Sequence, residues 1–223
     1  MPTATPLPPR LRRVLSSPLL DALAVPHGVS RYLELVNPLW SLDEDRALVT
    51  DVSRETDHTV TVTLRVADDY RHRAGQYLRF GVEIDGRRRT RSYSISSSAL
   101  RRDGHLTITV KHMPDGLVSG HVNTALRPGT VVTISPPDGE LTVPDRPDAP
   151  VLLVSGGSGI TPVMSILRTL LDAGHTGPIG FLHYAPTPAD VAFRDELERI
   201  DRDHPNVQVF LVPTDVDNPD PDG

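Results

Sequence analysis

The sequence contains no cysteine. This absence excludes disulfide bonds, thiolate nucleophiles and any iron–sulfur cluster that cysteines of this chain would hold. The nine histidines lack a paired metal-ligand spacing such as His-Glu-x-x-His. We therefore expect them to be surface or packing residues, and we expect no resident metal.

The sequence also lacks long apolar runs and an excess of positive charge. No run approaches the ~20 residues of a membrane span, and the N-terminus has no apolar signal-peptide core. The net charge of −6 argues against a general nucleic-acid binder, although arginines cluster from Arg87 to Arg91. We therefore expect a cytoplasmic protein with no membrane span and no nucleic-acid partner.

What is present is enough chain for two domains, with 223 residues of which 38% are hydrophobic. Changes in pattern divide it into four parts. They are a partly helical N-terminal extension (1–46), a β domain (47–148), an incomplete α/β domain (149–212) and an acidic, proline-rich tail (213–223).

Two apolar clusters in the extension, Leu19 to Leu23 and Tyr32 to Val36, predict short helices. The helices are expected to be separated at Pro26 and Gly28, since proline interrupts a helix. The pattern leaves two interpretations open. The extension either packs on the β domain or offers a docking surface to a membrane or a partner protein.

Residues 47–148 change to a period of two, which is typical of β-strands. Apolar residues alternate with polar ones over 60–66, 78–84 and 106–110, and turn signals separate these runs. Short strands at this spacing predict a six-stranded antiparallel Greek-key barrel. One helix, from Gly116 to Ala125, is expected to interrupt it.

A strand, a glycine turn and a helix follow one another at the start of the α/β domain. Val151–Val154 is an apolar run of the kind buried on both faces of a sheet, and Pro162 opens an amphipathic pattern that ends at Gly174. Between them, Gly156-Gly157-Ser158-Gly159 lets the backbone approach a ligand, and the helix N-terminus favours a diphosphate. An ordinary turn that uses glycine only for steric reasons remains the alternative.

A polar strand of the barrel, Arg91-Ser92-Tyr93-Ser94, combines a phosphate-binding side chain with an aromatic one. Arg91 and Tyr93 share one face of the strand, where a guanidinium binds phosphate oxygens and a phenol ring stacks on a flat group. Gly116-Leu117-Val118-Ser119 begins the predicted helix, so its N–H groups and the Ser119 hydroxyl can bind a second phosphate. Together these features predict a dinucleotide such as FAD, although the strand alone would be unremarkable.

The α/β domain continues with two further apolar strands, Ile179–Tyr184 and Val207–Val212. Between them, Asp190–Asp203 has the spacing of a helix with its apolar residues on one face. The pattern predicts a parallel βαβαβ unit with right-handed crossovers.

Four motifs resemble, in order and spacing, those of the ferredoxin–NADP reductase superfamily. They are Gly75-Gln76-Tyr77, Arg91-Ser92-Tyr93-Ser94, Gly116-Leu117-Val118-Ser119 and Gly156-Gly157-Ser158-Gly159-Ile160-Thr161-Pro162. The resemblance implies a flavin-binding barrel followed by an α/β domain that binds NAD(P)H.

The resemblance also implies individual roles. Arg91 and Ser119 would bind the FAD phosphates, Tyr93 would stack on the isoalloxazine ring, and Ser94 would lie near flavin N5, so Tyr93 and Ser94 are the candidate catalytic residues. Thr161 would lie near the flavin at the domain junction. The remaining candidates are Ser92, Val110, Lys111, Gly116, Leu117 and Val118 for FAD, and Gly156, Gly157, Ser158 and Gly159 for NAD(P)H.

The choice between NADH and NADPH should be determined after the second strand of the α/β domain, where an acid favours NADH and a base favours NADPH. This chain has Ala185-Pro186-Thr187-Pro188 there, which is neither. Arg194, one turn into the helix, is placed to reach a 2′-phosphate, but an arginine on an exposed helix face is more often a surface residue. NADPH is slightly favoured, and NADH remains open.

Family members normally continue with more strands and a Cys-Gly motif, whereas here an acidic, proline-rich stretch follows Val212. The layout resembles the front part of bacterial reductases that carry a plant-type [2Fe–2S] domain. By that comparison the chain is truncated. The [2Fe–2S] cluster is then expected only in a partner or in a missing C-terminal domain.

The implied function is an FAD-dependent oxidoreductase that passes electrons from NAD(P)H through flavin to an iron–sulfur protein or domain. The acceptor would be of ferredoxin type and would serve a downstream oxygenase or desaturase. The alternative is a truncated, non-catalytic flavin- or nucleotide-binding module. A flavohaemoglobin does not fit, since roughly 46 residues before the barrel cannot make the about eight helices of a globin.

Overall fold

The computed structural model describes residues 6–17, 20, 24, 28–143 and 148–215. The helices are α1 (Pro9–Leu15), α2 (Gly28–Val36), α3 (Leu117–Thr124), α4 (Ile160–Asp172) and α5 (Arg194–Asp203). The strands are β1 (Asp45–Thr56), β2 (Thr59–Arg65), β3 (Tyr77–Ile84), β4 (Arg87–Ser94), β5 (His105–Lys111), β6 (Val131–Ile134), β7 (Val151–Gly156), β8 (Ile179–Ala185) and β9 (Val207–Pro213).

The first domain is an antiparallel barrel with the strand order β4-β3-β6-β1-β2-β5. A bridge between Ile95, just after β4, and Ile108 of β5 closes the sheet on itself. The apolar residues of the period-two runs fill the interior, where Phe80, Leu78 and Leu64 are fully buried. The predicted six-stranded Greek-key barrel is confirmed, and the expected helical insertion forms as α3.

The N-terminal extension packs on this barrel where the structure describes it. Leu7 and Leu39 are buried, and the Arg12 guanidinium lies 2.6 Å from the Asp45 carboxylate at the start of β1. The predicted helix over Tyr32 to Val36 forms as part of α2. Leu19 and Leu23, on which the other predicted helix rests, lie outside the described residues.

The second domain is a parallel sheet with the strand order β7-β8-β9, and α4 and α5 pack on one of its faces. This confirms the predicted βαβαβ unit. Two boundaries differ from the predictions. α4 begins at Ile160, before Pro162, and α5 begins at Arg194, after Asp190. The second difference arises because Pro188–Asp190 forms a separate 3₁₀ turn and Phe193 then adopts a left-handed conformation with φ of 62°.

The prediction that β7 is buried on both faces is wrong for the described structure. Leu152 is 70% exposed and Val154 is 53% exposed, and Phe210 of β9 lies on the same face. Both helices cover the opposite face, and no element among the described residues covers this one. Helix-flanked parallel sheets are normally covered on both sides. The apolar composition of β7 fits that arrangement, but the described residues cover only one of its faces.

Leu152→Gln is expected to change the free energy of unfolding by no more than about 0.5 kcal/mol, because the side chain is already largely in water. Urea unfolding at several protein concentrations measures this. A loss of more than about 1 kcal/mol that grows with protein concentration would contradict an uncovered face, since it would indicate burial against a second copy.

Candidate functional site

A cavity of about 330 Å³ opens where the end of β4, β5, the start of α3 and the glycine turn before α4 meet. It lies between the two domains, since its walls come from the barrel and from the turn of the α/β domain. The predicted site residues that line it are Arg91, Ser92, Tyr93, Ser94, Lys111, Gly116, Val118, Ser119, Ser158 and Thr161. The tertiary structure thus brings three of the four motifs to one place.

Arg91 and Tyr93 give one wall of this cavity a cation and an aromatic ring. The Arg91 guanidinium is exposed, and its Nη1 donates a hydrogen bond to the Thr90 carbonyl oxygen at 2.8 Å. The Tyr93 ring packs edge-on against Phe80 with ring centroids 6.1 Å apart. Burial raises the pKa of Tyr93, while the positive charge of Arg91 acts in the opposite direction. The wall therefore offers guanidinium donors and a neutral phenol.

The first turn of α3 forms a second wall, and its shape depends on Ser119. The Ser119 hydroxyl accepts a hydrogen bond from the Met113 N–H and donates one to the Gly116 carbonyl oxygen, both at 3.1 Å. A Cβ at position 116 would lie 2.2 Å from Ser119 Oγ, so a side chain there would displace the Ser119 hydroxyl. Because the Ser119 proton is engaged within the turn, the donors left for an anion are the backbone N–H groups of the first helical turn.

The glycine turn supplies the wall from the second domain. β7 ends at Gly156, Gly157–Gly159 forms a 3₁₀ turn, and the Thr161 hydroxyl donates to the Ser158 carbonyl oxygen at 3.0 Å. Ser158 and Thr161 line the main cavity, and a narrow recess beside it is lined by Gly157 and Lys111. The predicted nucleotide turn and the predicted flavin strand therefore face one cleft.

Five predicted site residues do not line the main cavity, and one of them, Gly157, lines only the narrow recess beside it. Val110 is 1% exposed in the barrel core, so a contact with a cofactor would have to use its backbone. Leu117 is exposed outside the cavity, and Gly156 and Gly159 shape the turn without lining it. The alternation of side chains along β5 points Val110 into the barrel, and this pattern already argued against a contact between its side chain and a cofactor.

Residues that the motifs did not indicate also contribute to the cleft. Thr109 and Met113 line the cavity, and Thr109 belongs to the outward-facing polar set of β5. The strand alternation offered Thr109 as a candidate, because it shares a face with Lys111. Among the described residues no group of three His, Cys, Asp or Glu side chains could hold a metal ion, and no helix is long and apolar enough to cross a membrane.

A buried histidine lies on the neighbouring strand of the α/β domain. His183 Nδ1 lies 2.9 Å from Ser155 Oγ, its direct partner across β7 and β8. Burial lowers the pKa of His183, and the positive charge of Lys111 acts in the same direction, while its bond to Ser155 opposes them. The folded protein therefore holds this imidazole neutral at neutral pH.

We expect the free energy of unfolding to fall as the pH drops below 6.5, the ordinary pKa of histidine. Below that pH the unfolded chain binds a proton that folded His183 does not, so the loss is at most about 1.4 kcal/mol per pH unit for this group. His72, whose pKa burial also lowers, adds a change of the same sign. Urea unfolding between about pH 7.5 and 5.5 measures the slope.

His183→Asn should reduce that slope, because asparagine does not titrate in this pH range. Equal slopes in the parent protein and in His183→Asn would contradict the assignment.

Comparisons with known proteins agree with this geometry. A family model described as an oxidoreductase FAD-binding domain matches residues 47–143, and one described as an oxidoreductase NAD-binding domain matches residues 153–223. An NADPH oxidoreductase of Mycobacterium tuberculosis is 41% identical over 187 residues, which are 82% of this chain and 49% of that protein. A glycine betaine monooxygenase reductase subunit of Chromohalobacter salexigens is 39% identical over 62% of this chain and 37% of its own length. The chain thus spans about half, or less, of the length of these curated relatives.

Solved structures show the same arrangement of domains. The FAD/NAD-binding domain of a nitric oxide dioxygenase from Vibrio cholerae superposes with a TM-score of 0.68 at 26% identity, covering 78% of this chain and 76% of that one. A phthalate dioxygenase reductase superposes with a TM-score of 0.65 at 26% identity, covering 79% and 53%. With the barrel, the parallel unit and the shared cleft, these matches show that the chain belongs to the ferredoxin–NADP reductase superfamily.

Proposed function

We propose that this protein uses FAD to pass electrons from NAD(P)H to an iron–sulfur protein or domain that serves an oxygenase or desaturase. The observation that carries the proposal is the single cleft onto which the Arg91 strand, the start of α3 and the glycine turn all open. A cation, helix N–H groups and a half-buried phenol ring are the groups that a dinucleotide with an aromatic ring requires.

The residues present fit FAD on structural grounds. Arg91 keeps most of its guanidinium donors free of the described residues, and Gly116 leaves the room that any side chain would take from the turn of α3. We assign the pyrophosphate to Arg91 and the first turn of α3, and the ring system to Tyr93. Ser94 and Thr161 would lie at the edge of that ring which faces the second domain.

The glycine turn would bind the pyrophosphate of NAD(P)H at the N-terminus of α4. Bound FAD would supply a hydride acceptor for the nicotinamide and a donor of single electrons. The chain itself contributes alignment. Its two domains hold the glycine turn and the Tyr93–Ser94 strand at a set separation, and orientation of this kind accounts for much of an enzyme's rate enhancement.

NADPH is the preferred nucleotide in this proposal, as the name of the mycobacterial relative suggests. The loop after β8 supplies no basic side chain, and Arg194 Nε donates to Glu198 Oε1 at 3.0 Å on the exposed face of α5. Binding of a 2′-phosphate by Arg194 would have to compete with this ion pair. NADPH therefore rests on the relative's name more than on this loop.

The proposed acceptor follows from the kinds of protein that the chain resembles. One relative is the reductase subunit of a monooxygenase, and the phthalate dioxygenase reductase is a modular protein for electron transfer from pyridine nucleotides to [2Fe–2S]. A ferredoxin-type protein or domain would then take electrons from the flavin. A non-catalytic flavin-binding module is the competing function.

Purification and rapid mixing test the proposal. The purified chain should be yellow, and mixing it with NADPH without oxygen should bleach the absorbance near about 450 nm, because bleaching requires hydride transfer. Yellow protein that NADPH fails to bleach would favour the non-catalytic module. Folded protein that binds no FAD would refute both.

A further inference from the structure

Arg168, on α4, joins three parts of the molecule through one guanidinium. Its Nη1 donates to the Ser96 carbonyl oxygen of the barrel at 2.6 Å, and its Nε donates to Glu196 Oε1 of α5 at 2.7 Å. The guanidinium also lies 4.7 Å from the centroid of the Phe193 ring. Both charged side chains are largely shielded from water, at 21% and 28% exposure.

α4 carries two further bonds to the same barrel segment, from the same helical face. The Ser165 hydroxyl donates to the Ser97 carbonyl oxygen at 2.7 Å, and the Thr169 hydroxyl accepts from the Ala99 N–H at 2.9 Å. Residues at i, i+3 and i+4 lie side by side on a helix, so Ser165, Arg168 and Thr169 form one row. This row contacts the segment that follows β4, two to five residues beyond Ser94.

The same helix begins at the glycine turn. One rigid element therefore reaches from the turn at Gly157–Gly159 to the residues that continue the Arg91–Ser94 strand. Any rotation of α4 against Ser96 would move the turn relative to Tyr93 and Ser94.

The residue that precedes α5 is also bonded to the barrel. Phe193, which precedes α5, adopts its left-handed conformation with its N–H donating to Glu55 Oε2 of β1 at 3.3 Å. Glu55 Oε1 in turn accepts from the Thr61 hydroxyl at 2.6 Å. Arg168 bonds to Glu196 one turn further along, so it connects this second attachment to the first.

We propose that Arg168 is a positioning residue that fixes the angle between the two domains and thereby the distance from the glycine turn to the flavin strand. The inference rests on the proposed function for its effect on reduction by NADPH. The contacts of Arg168 with the barrel and with α5 are a property of the folded chain. The fork of the guanidinium is suited to this role because it bonds a carbonyl and a carboxylate in one plane while stacking on an aromatic ring.

The absence of cysteine allows a direct test in solution. Spin labels on Glu83→Cys in β3 and Gln208→Cys in β9, both exposed positions, report the distance between the domains by pulsed electron paramagnetic resonance. We expect a narrow distance distribution in the parent protein. Arg168→Gln should broaden it by about two-fold or more, because domains move relative to each other when their interface is not held.

Arg194→Gln is the matched control, since Arg194 and Glu198 form an arginine–glutamate pair that lies wholly on the surface of α5. It should leave the distribution unchanged. Arg168→Lys should give a distribution whose width lies between those of the parent and Arg168→Gln, because lysine keeps the charge opposite Glu196 but lacks the forked guanidinium. If Arg168→Gln does not fold, Glu196→Gln, which leaves Arg168 on Ser96 and Phe193, is expected to broaden the distribution to a smaller extent.

The proposal is overturned if the distance distribution of Arg168→Gln is as narrow as that of Arg194→Gln. The same criterion applies to Glu196→Gln if that variant has to be used instead. In protein that NADPH reduces, Arg168→Gln should also slow bleaching at saturating NADPH by about 10- to 100-fold, while the Kd for FAD stays unchanged. A parent protein that binds FAD but is not bleached by NADPH would refute the proposed function. The distance measurement would then still test whether Arg168 fixes the angle between the two domains.

Discussion

Replacing Arg91 with alanine is expected to give a folded but colourless protein. The guanidinium is exposed and bonds only to the neighbouring Thr90 carbonyl among the described residues, so its removal should cost little stability. Each charge-assisted hydrogen bond to a phosphate contributes about 1.5–3 kcal/mol. Losing two of them would raise the Kd for FAD by roughly 100- to 10,000-fold. Titration of the apoprotein with FAD, followed by flavin fluorescence, measures this.

Arg89→Ala is the control for Arg91→Ala. Arg89 lies two residues earlier on the same strand and the same face, and it is exposed but does not line the cavity. The variant should bind FAD as the parent does. Equal losses of affinity in both variants would indicate a general effect of charge and would contradict a specific phosphate contact at Arg91.

Gly75→Ala is expected to lower the free energy of unfolding by about 3–5 kcal/mol, one of the larger effects available to a single substitution. Gly75 has φ of +91°, and a Cβ there would lie 2.0 Å from the carbonyl oxygen of Leu141. Because the obstructing atom belongs to the backbone, a side-chain rotation cannot relieve the contact. The segment around Leu141 would have to separate from the strand that follows Gly75. Urea unfolding and thermal melting measure the loss.

Gly86→Ala separates the two causes. Gly86 also has a positive φ, +69°, but no atom lies within 4 Å of a Cβ built on it. Its substitution should cost only the backbone penalty of about 1–2 kcal/mol. If both variants lose the same free energy, the close approach to Leu141 is not what makes Gly75 necessary.

Local pattern was sufficient to predict the elements that position the site. The period-two runs became the barrel, because side chains that alternate along a strand must separate an apolar interior from the exterior. The order strand, glycine turn, helix identified the α4 turn, and the Arg91–Ser94 strand was identified by its residue types. These features are set by neighbouring residues, so the sequence carries them directly.

The helix boundary near Phe193 could not be predicted from the local sequence. The period of Asp190 to Asp203 is helical throughout, yet Phe193 is left-handed and its N–H bonds to Glu55, which lies far away in the chain. A backbone conformation that depends on a distant carboxylate leaves no local signal. For the same reason no motif indicated Arg168, whose partners come from the barrel and from α5.

Sequence by itself determined the class of each element, the two-domain order and the residue types of the candidate cofactor site, because these follow from neighbours along the chain. Tertiary structure alone decided which polar surfaces are buried. Thr61 and Thr109 lie on the outer face of the barrel, where alternation predicts contact with water. Both are nevertheless buried, and their hydroxyl oxygens lie 2.9 Å apart. Conversely, the apolar Leu152 is exposed. Alternation separates the two faces of a strand, but what covers each face depends on a part of the chain that is distant in sequence.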